Sequence, residues 1–226
     1  MKMKLLTAVA VVATAGLASA GLVPNGDFLN GSTSWSSFAD PDGTVVSFET
    51  TGGSTLGTLG GSTTDGGYGL IDATAGSWGG GLVSPADFEY TSNQGTPLAT
   101  LGVTAGETIT ISIDMINLVG NGLGGLKMEA WNGGGGAASY TADIAATGQS
   151  SVWDTYTWDY TIPAGTLSLK IVPLLTPNYT NPNVNSKIGF DNVGVVPEPA
   201  TMGLFAVFGA GLWFMRRSAV RNRKNT

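Results

Sequence analysis

Period-two alternation of apolar and polar residues dominates the middle of this 226-residue chain. Ile109, Ile111, Ile113 and Met115 share one parity, while Thr110, Ser112 and Asp114 share the other. Because successive side chains of a strand point to opposite faces, this pattern predicts a β-strand with one buried face. Similar alternation recurs at 126–130, 155–162 and 167–171, and 188–195 is predicted as a final strand. No segment between the termini has a helical period, so we predict an all-β fold, an antiparallel β-sandwich or jelly roll.

Composition is consistent with such a fold and excludes several chemistries. The chain has 35 glycines and only 12% charged residues, which favours turns over helices held by charge pairs. It has no Cys and no His. These absences exclude disulfides, thiol nucleophiles, His-dependent catalytic triads and His- or Cys-ligated zinc sites.

The N-terminus has the three parts of a secretory signal. Lys2 and Lys4 precede an apolar stretch over 5–17, and Ala18-Ser19-Ala20 forms a small-x-small cleavage site. We predict a signal peptide over residues 1–20 that signal peptidase removes before Gly21. The alternative is an uncleaved N-terminal anchor.

The C-terminus combines a proline motif, an apolar segment and a basic tail. The motif is Val196-Pro197-Glu198-Pro199, and its prolines hold Glu198 in an extended backbone. Residues 200–215 carry no charge, and the tail 216–226 opens with Arg216 and Arg217. This order predicts a transmembrane helix with a cytoplasmic C-terminus. Sixteen residues span about 24 Å, less than the ~30 Å hydrocarbon core, which suits a transient anchor. The alternative is a buried C-terminal helix of a soluble domain.

This tail resembles the PEP-CTERM sorting signal, since motif, helix and Arg cluster occur together over roughly residues 195–218. The resemblance implies an exosortase partner, a transpeptidase-like enzyme of the inner membrane. It also implies a Gram-negative host that makes exopolysaccharide. We therefore expect export, transient retention in the inner membrane, cleavage near the motif, and delivery to the cell surface or extracellular matrix.

Residues 21–195 form the predicted β-sandwich domain, which carries a second resemblance. Asn25-Gly26-Asp27-Phe28 followed by Trp35, and later Phe190-Asp191-Asn192-Val193, resemble carbohydrate-binding-module jelly rolls with a galactose-binding-like fold. In such folds a structural calcium often lies between the first-strand region and the last strand. The resemblance thus implies metal ligands among Asn25, Asp27 and Asp191, and no other cofactor. Leu29 stands where many relatives have an acid, which removes one expected ligand.

The charge of the exported part limits its partners. All 16 acidic residues of the chain lie between residues 21 and 198, against only Lys127, Lys170 and Lys187, which leaves a net charge of −13. An acidic surface argues against nucleic acid, whose phosphates are bound by Lys and Arg. It is compatible with neutral glycans and with cations.

Two tryptophans are the candidate ligand contacts. Trp78 precedes Gly79–Gly81, and Trp131 precedes Asn132 and the glycines 133–136, so both are predicted near loops. Their rings could stack on sugars, and the alternative is core packing, which we favour for Trp35 and Trp158. Asp40-Pro41-Asp42-Gly43 lacks the Glu of an EF-hand and is predicted to be a turn. Residues 133–136 lack the features of a phosphate loop and are predicted to form a hairpin tip.

These features together predict a non-catalytic surface or matrix protein that associates with exopolysaccharide. One alternative is a carboxylate-dependent glycan-cleaving enzyme, which needs only two suitably spaced acids, although no pair here stands in a recognisable catalytic motif. Another alternative is a purely structural matrix protein without a ligand.

Overall fold

A computed structural model describes residues 21–56, 66–84, 95–120, 122–132, 138–147, 150–176 and 184–197, with 21–22, 138–147 and 197 described by their backbone alone. Twelve strands and one short helix lie in these ranges. They are β1 Gly21–Leu22, β2 Ser36–Ala39, β3 Thr44–Glu49, β4 Tyr68–Ala73, β5 Gly80–Val83, β6 Thr96–Pro97, α1 Leu98–Leu101, β7 Thr108–Val119, β8 Leu123–Trp131, β9 Ala138–Thr147, β10 Asp154–Thr161, β11 Ser168–Thr176 and β12 Ser186–Pro197.

The strands form two six-stranded sheets. Sheet A has the order β10-β7-β12-β4-β3, with β1 paired to β12, and sheet B has the order β2-β5-β11-β8-β9, with β6 paired to β11. All of these strand pairs are antiparallel. The predicted antiparallel β-sandwich is therefore confirmed.

The alternating residues of the long strands build the core between the sheets. Ile109, Ile111, Ile113 and Met115 of β7 are fully buried. From sheet B they are joined by Leu126, Met128, Leu169 and Ile171. Trp35 lies in this core and Trp158 packs against it, as predicted. The parity seen in the sequence thus separates the core face of each long strand from its outer face.

The N-terminal segment closes against the last strand. Gly21 and Leu22 pair with Val195 and Gly194, so the first and last strands are adjacent. The loop that follows approaches β12 closely, because an added Cβ at Gly26 would collide with the carbonyl oxygen of Val193. The Gly of the Asn-Gly-Asp-Phe motif is therefore required by packing.

The described residues form part of one compact unit, Ser19–Pro197. In the part of the chain that the structure describes, no helix has the length and apolarity needed to cross a membrane. Several predicted features lie outside the described residues: the signal peptide 1–20, the glycines 133–136, Glu198, Pro199, the helix 200–215, Arg216 and Arg217.

Candidate functional site

Trp78 is the most prominent exposed aromatic side chain of the described residues. It lies in the loop between β4 and β5, and 51% of its surface is exposed. Its ring stacks on Phe38 of β2, with ring centroids 6.2 Å apart and an interplanar angle of 15°. The pair presents a broad apolar surface to solvent at one edge of sheet B.

Asp40 fixes the backbone that presents Trp78. Its Oδ2 accepts the backbone N–H of Trp78 at 2.7 Å, its Oδ1 accepts the N–H of Asp42 at 3.0 Å, and its own N–H donates to Gly79 O at 2.9 Å. The N–H of Trp78 is the main cause that holds the pKa of the Asp40 carboxyl below its usual range. The predicted Asp-Pro-Asp-Gly turn is confirmed, and it also clamps the loop of Trp78.

Strand register places Phe38, on which Trp78 stacks, and Trp131 on the outer face of sheet B, which is the face turned away from the core. Phe38 lies opposite Gly81, Gly81 opposite Leu174, and Trp131 opposite Ser168. The ring of Phe38 covers Gly81, where a Cβ would lie only 2.6 Å from it. Phe38 and Trp131 therefore belong to one face, with Phe38 at its β2 edge and Trp131 on β8.

Trp131 is not presented to solvent in the same way as Trp78. It is the last residue of β8 and only 5% of its surface is exposed. The Lys170 ammonium lies 4.7 Å from the centroid of its ring, a cation–π contact. Burial lowers the pKa of Lys170, and the charge of Glu129 opposes that shift. The Trp131 ring thus already has a cationic partner within the fold.

A network of buried polar groups lies on the outer face of sheet A. Asp114 and Asp191 stand directly opposite each other on β7 and β12, and only 1% and 2% of their surfaces are exposed. Ser54 bridges them, with its N–H donating to Asp191 Oδ2 at 2.7 Å and its Oγ to Asp114 Oδ2 at 2.6 Å. Asn192 adds a bond to Asp114 at 2.9 Å. Burial raises the pKa of Asp191 to about 8.

The three residues predicted to hold calcium have different surroundings. Asn25 stabilises its own loop, since its amide donates to Gly31 O at 2.9 Å and to Thr33 O at 2.7 Å and accepts the N–H of Asn30 at 3.0 Å. Asp191 is buried and hydrogen-bonded to Ser54, and its pKa is raised chiefly by burial, with smaller contributions from the charges of Asp114 and Asp27.

Within the described ranges, no three His, Cys, Asp or Glu side chains gather where they could hold a metal ion. Calcium also accepts backbone carbonyl ligands. The calcium site at Asn25, Asp27 and Asp191 therefore stays a prediction, and no step of the proposed function depends on it.

The predicted sorting motif is only partly described. Val196 and Pro197 are the last two residues of β12, opposite Thr110 and Ile109 of β7. The strand therefore continues two residues beyond the domain boundary predicted at residue 195.

The architecture defines the class of the domain as an antiparallel β-sandwich, and solved structures share it. The CBM22-2 xylan-binding domain of Paenibacillus barcinonensis Xyn10C is 14% identical, with a TM-score of 0.50 over 76% of this chain and 97% of that one. A family 11 carbohydrate-binding module of Clostridium thermocellum Lic26A-Cel5E is 16% identical, with a TM-score of 0.45 over 79% and 94% of the two chains. At such identities the likeness shows the fold alone. No protein-family model matches the chain, and no curated protein matches it either.

Two residues of the site were not recognised in the sequence. Phe38 lies in a four-residue strand without a long alternating pattern, and its stacking on Trp78 depends on the pairing of β2 with β5. The sequence predicts a turn at Asp40, but the bond of Asp40 to Trp78 joins residues 38 positions apart. A local signal could identify the turn but not the loop that it holds.

Proposed function

We propose that this protein is an exported, non-catalytic glycan-binding protein that associates with exopolysaccharide through the outer face of sheet B. The observation that carries the proposal is the exposed Trp78 ring stacked on Phe38 and held by Asp40. A flat aromatic surface fits the apolar face of a sugar ring. Because the loop is hydrogen-bonded in place, little conformational entropy is lost on binding.

The neutral character of the Trp78 site indicates the type of glycan. Among the described residues, the carboxylate that contacts the Trp78 loop is that of Asp40, and both of its oxygens accept backbone N–H groups. In an acidic domain this arrangement favours uncharged sugars over polyanions. We therefore expect stacking and hydroxyl hydrogen bonds, rather than ion pairs, to provide the affinity.

Export and sorting are part of the same proposal. The signal-peptide pattern and the tail beginning at Val196 support export, recognition by an exosortase and delivery to the surface or matrix. A surface location would bring the Trp78 site to the exopolysaccharide. Signal peptidase and exosortase are the proposed processing partners, and the membrane is a transient one.

Co-sedimentation with the host's own exopolysaccharide tests the binding proposal. The mature domain, residues 21–197, should sediment with the polymer and should release no new reducing ends. New reducing ends would support the carboxylate-dependent enzyme instead. Absence of both binding and cleavage would leave the purely structural matrix protein.

The same assay tests the choice of contact residues. Trp78→Ala should remove most of the sedimented fraction, whereas Trp131→Ala should have a smaller effect because that ring is buried under Lys170. Binding that survives both substitutions together would refute the outer face of sheet B as the binding surface.

A further inference from the structure

Three strands of sheet A reach the end of the sandwich at which Trp78 lies. Val119, the last residue of β7, is opposite Lys187 of β12, and the neighbouring Ser186 is opposite Ala73, the last residue of β4. The loop that carries Trp78 starts directly after Ala73. We call this end of the molecule, where these three strands meet the loop, the Trp78 end.

Exposed aliphatic side chains accompany the tryptophan at the Trp78 end. Leu118, Val119 and Val152 have 42%, 47% and 65% of their surfaces exposed. The segment that carries Val152 is held against β7, because the N–H of Asn117 donates to Ser150 O at 2.8 Å. Single exposed apolar residues need no explanation, but a group of them on a fixed backbone marks a binding surface.

Asn185, which precedes β12, joins the Trp78 loop to the end of β7. Its Oδ1 accepts the N–H of Ala75 in that loop at 2.9 Å. Its carbonyl oxygen lies 1.9 Å from the position that a Cβ would take at Gly120, the residue after the end of β7. The aliphatic side chains therefore continue the surface on which Trp78 is presented.

This surface is poorly suited to unsubstituted sugars. A glycan that stacks on Trp78 and extends over the aliphatic side chains loses water from its hydroxyl groups, and Val and Leu offer no hydrogen bonds in return. An O-acyl ester removes the hydroxyl donor, and its alkyl group is stabilised by burial. The charge opposite Val119 is that of Lys187, which pairs with Asp72 at 3.1 Å, so an anionic substituent is not favoured.

We infer that the glycan bound at Trp78 is O-acylated and that Val119 and Val152 contact its acyl groups. This inference rests on the proposed function and specifies the class of its ligand. Trp78 provides most of the affinity by stacking on a sugar ring. The two valines provide the preference for acylated over unsubstituted polymer.

Affinity electrophoresis with two forms of the host's exopolysaccharide tests the ligand class. One form is native, and the other has been treated with mild alkali, which removes O-acyl esters and leaves the glycosidic chain intact. The mature domain should be retarded several-fold more strongly by the native form. Equal retardation, or a native polymer that releases no carboxylic acid in alkali, would overturn the inference and leave glycan binding in place. No retardation by either form would overturn both.

A double variant tests the two valines. Val119→Thr combined with Val152→Thr keeps the β-branched shape and the strand preference but adds a hydroxyl to each side chain. It should lose most of the preference for native polymer and match the parent in the alkali-treated form.

Leu29→Thr is the control for the double variant. Leu29 is 51% exposed, and it follows Phe28, whose carbonyl oxygen lies against Gly67 at the opposite end of β4. This control should keep the parent's preference for native polymer. An unchanged preference in the double valine variant would overturn the inference.

Discussion

Asp40 is a buried side chain that fixes the backbone of the loop carrying the exposed Trp78. Its Oδ1 accepts the N–H of Asp42 in its own turn, and its Oδ2 accepts the N–H of Trp78 in the loop between β4 and β5. Hydrogen bonds to an ionised acceptor are shorter and stronger than those between neutral groups. Asp40 therefore holds the backbone of Trp78, and the ring of Trp78 stacks on Phe38.

Replacement of Asp40 by Asn should loosen this loop. The amide keeps one acceptor oxygen and presents an N–H₂ group to the other backbone N–H, so one of the two bonds is lost. We expect faster hydrogen exchange at the Trp78 amide and several-fold weaker glycan binding. Asp42→Asn is the matched control, because Asp42 enters this arrangement through its backbone N–H. Unchanged exchange in Asp40→Asn would contradict the role assigned to Asp40.

The buried Asp191 predicts a pH dependence of stability. Its pKa is raised from 3.8 to about 8, chiefly by burial. The folded state therefore holds a proton that the unfolded state releases, and the free energy of unfolding should fall as pH rises from about 4 to about 8. The contribution of protonated Asp191 to the free energy of unfolding is fully present below the pKa that Asp191 has in the unfolded state.

Chemical denaturation at several pH values measures this slope. Asp191→Asn should flatten it, whereas Asp154→Asn, at an exposed position of β10, should keep it. A slope that Asp191→Asn leaves unaltered would assign the pH dependence to other groups. Performing the series with calcium and with EDTA also tests the predicted ion, which should oppose the loss of stability by stabilising the carboxylate form.

At the level of secondary-structure elements, the N-terminal loop can pack against β12 because residue 26 is a glycine, which has no side chain. Val23 N–H donates to Val193 O at 3.1 Å, and Val193 N–H donates to Gly26 O at 2.9 Å. These two bonds bring the loop so close that no Cβ fits at Gly26. The junction also positions Phe28, whose ring packs 4.8 Å from that of Trp35.

Gly26→Ala should therefore destabilise the domain by about 2 kcal/mol, in the range typical of overpacking. The measurement is the free energy of unfolding in urea. Gly165→Ala is the comparison, because that residue has a positive φ of 81° but open space around it. Its cost should be about 1 kcal/mol, from backbone strain alone. A smaller effect at Gly26 than at Gly165 would contradict the packing argument.

The elements also show which parts of the fold can be predicted from sequence. β7, β8 and β12 contain the segments predicted for them, whereas β10 and β11 cover theirs except for Ile162 and Leu167 at the ends. β5 consists of Gly-Gly-Leu-Val and has too few side chains to show a period. Its glycines serve a contact that is distant in sequence, since the Phe38 ring covers Gly81.

The candidate site, like the fold, could be predicted from the sequence only in part. Trp78 could be identified because it precedes a run of glycines, and the structure shows it exposed. Trp131 has the same local context, yet Lys170 on the adjacent strand covers its ring. Whether an aromatic residue faces solvent or a neighbouring strand depends on tertiary pairing, which local sequence does not contain.

At the scale of the whole molecule, the two sheets carry different outer faces. Sheet A buries its acidic pair under Ser54, so these carboxylates are not presented to a substrate at the surface. Sheet B presents the Phe38–Trp78 stack to solvent at its edge. We therefore propose glycan binding at sheet B rather than at the outer face of sheet A.

Affinity electrophoresis in gels containing the host's exopolysaccharide measures glycan binding at the Phe38–Trp78 stack. The mature domain should be retarded, and Trp78→Ala should migrate nearly as it does in a gel without polymer. Val45→Ala is the matched control, because Val45 is also an exposed apolar residue, with 66% of its surface accessible, but it lies on the edge strand of sheet A. This variant should be retarded like the parent. Equal retardation of the parent and Trp78→Ala, or no retardation of the parent, would contradict glycan binding at the Phe38–Trp78 stack.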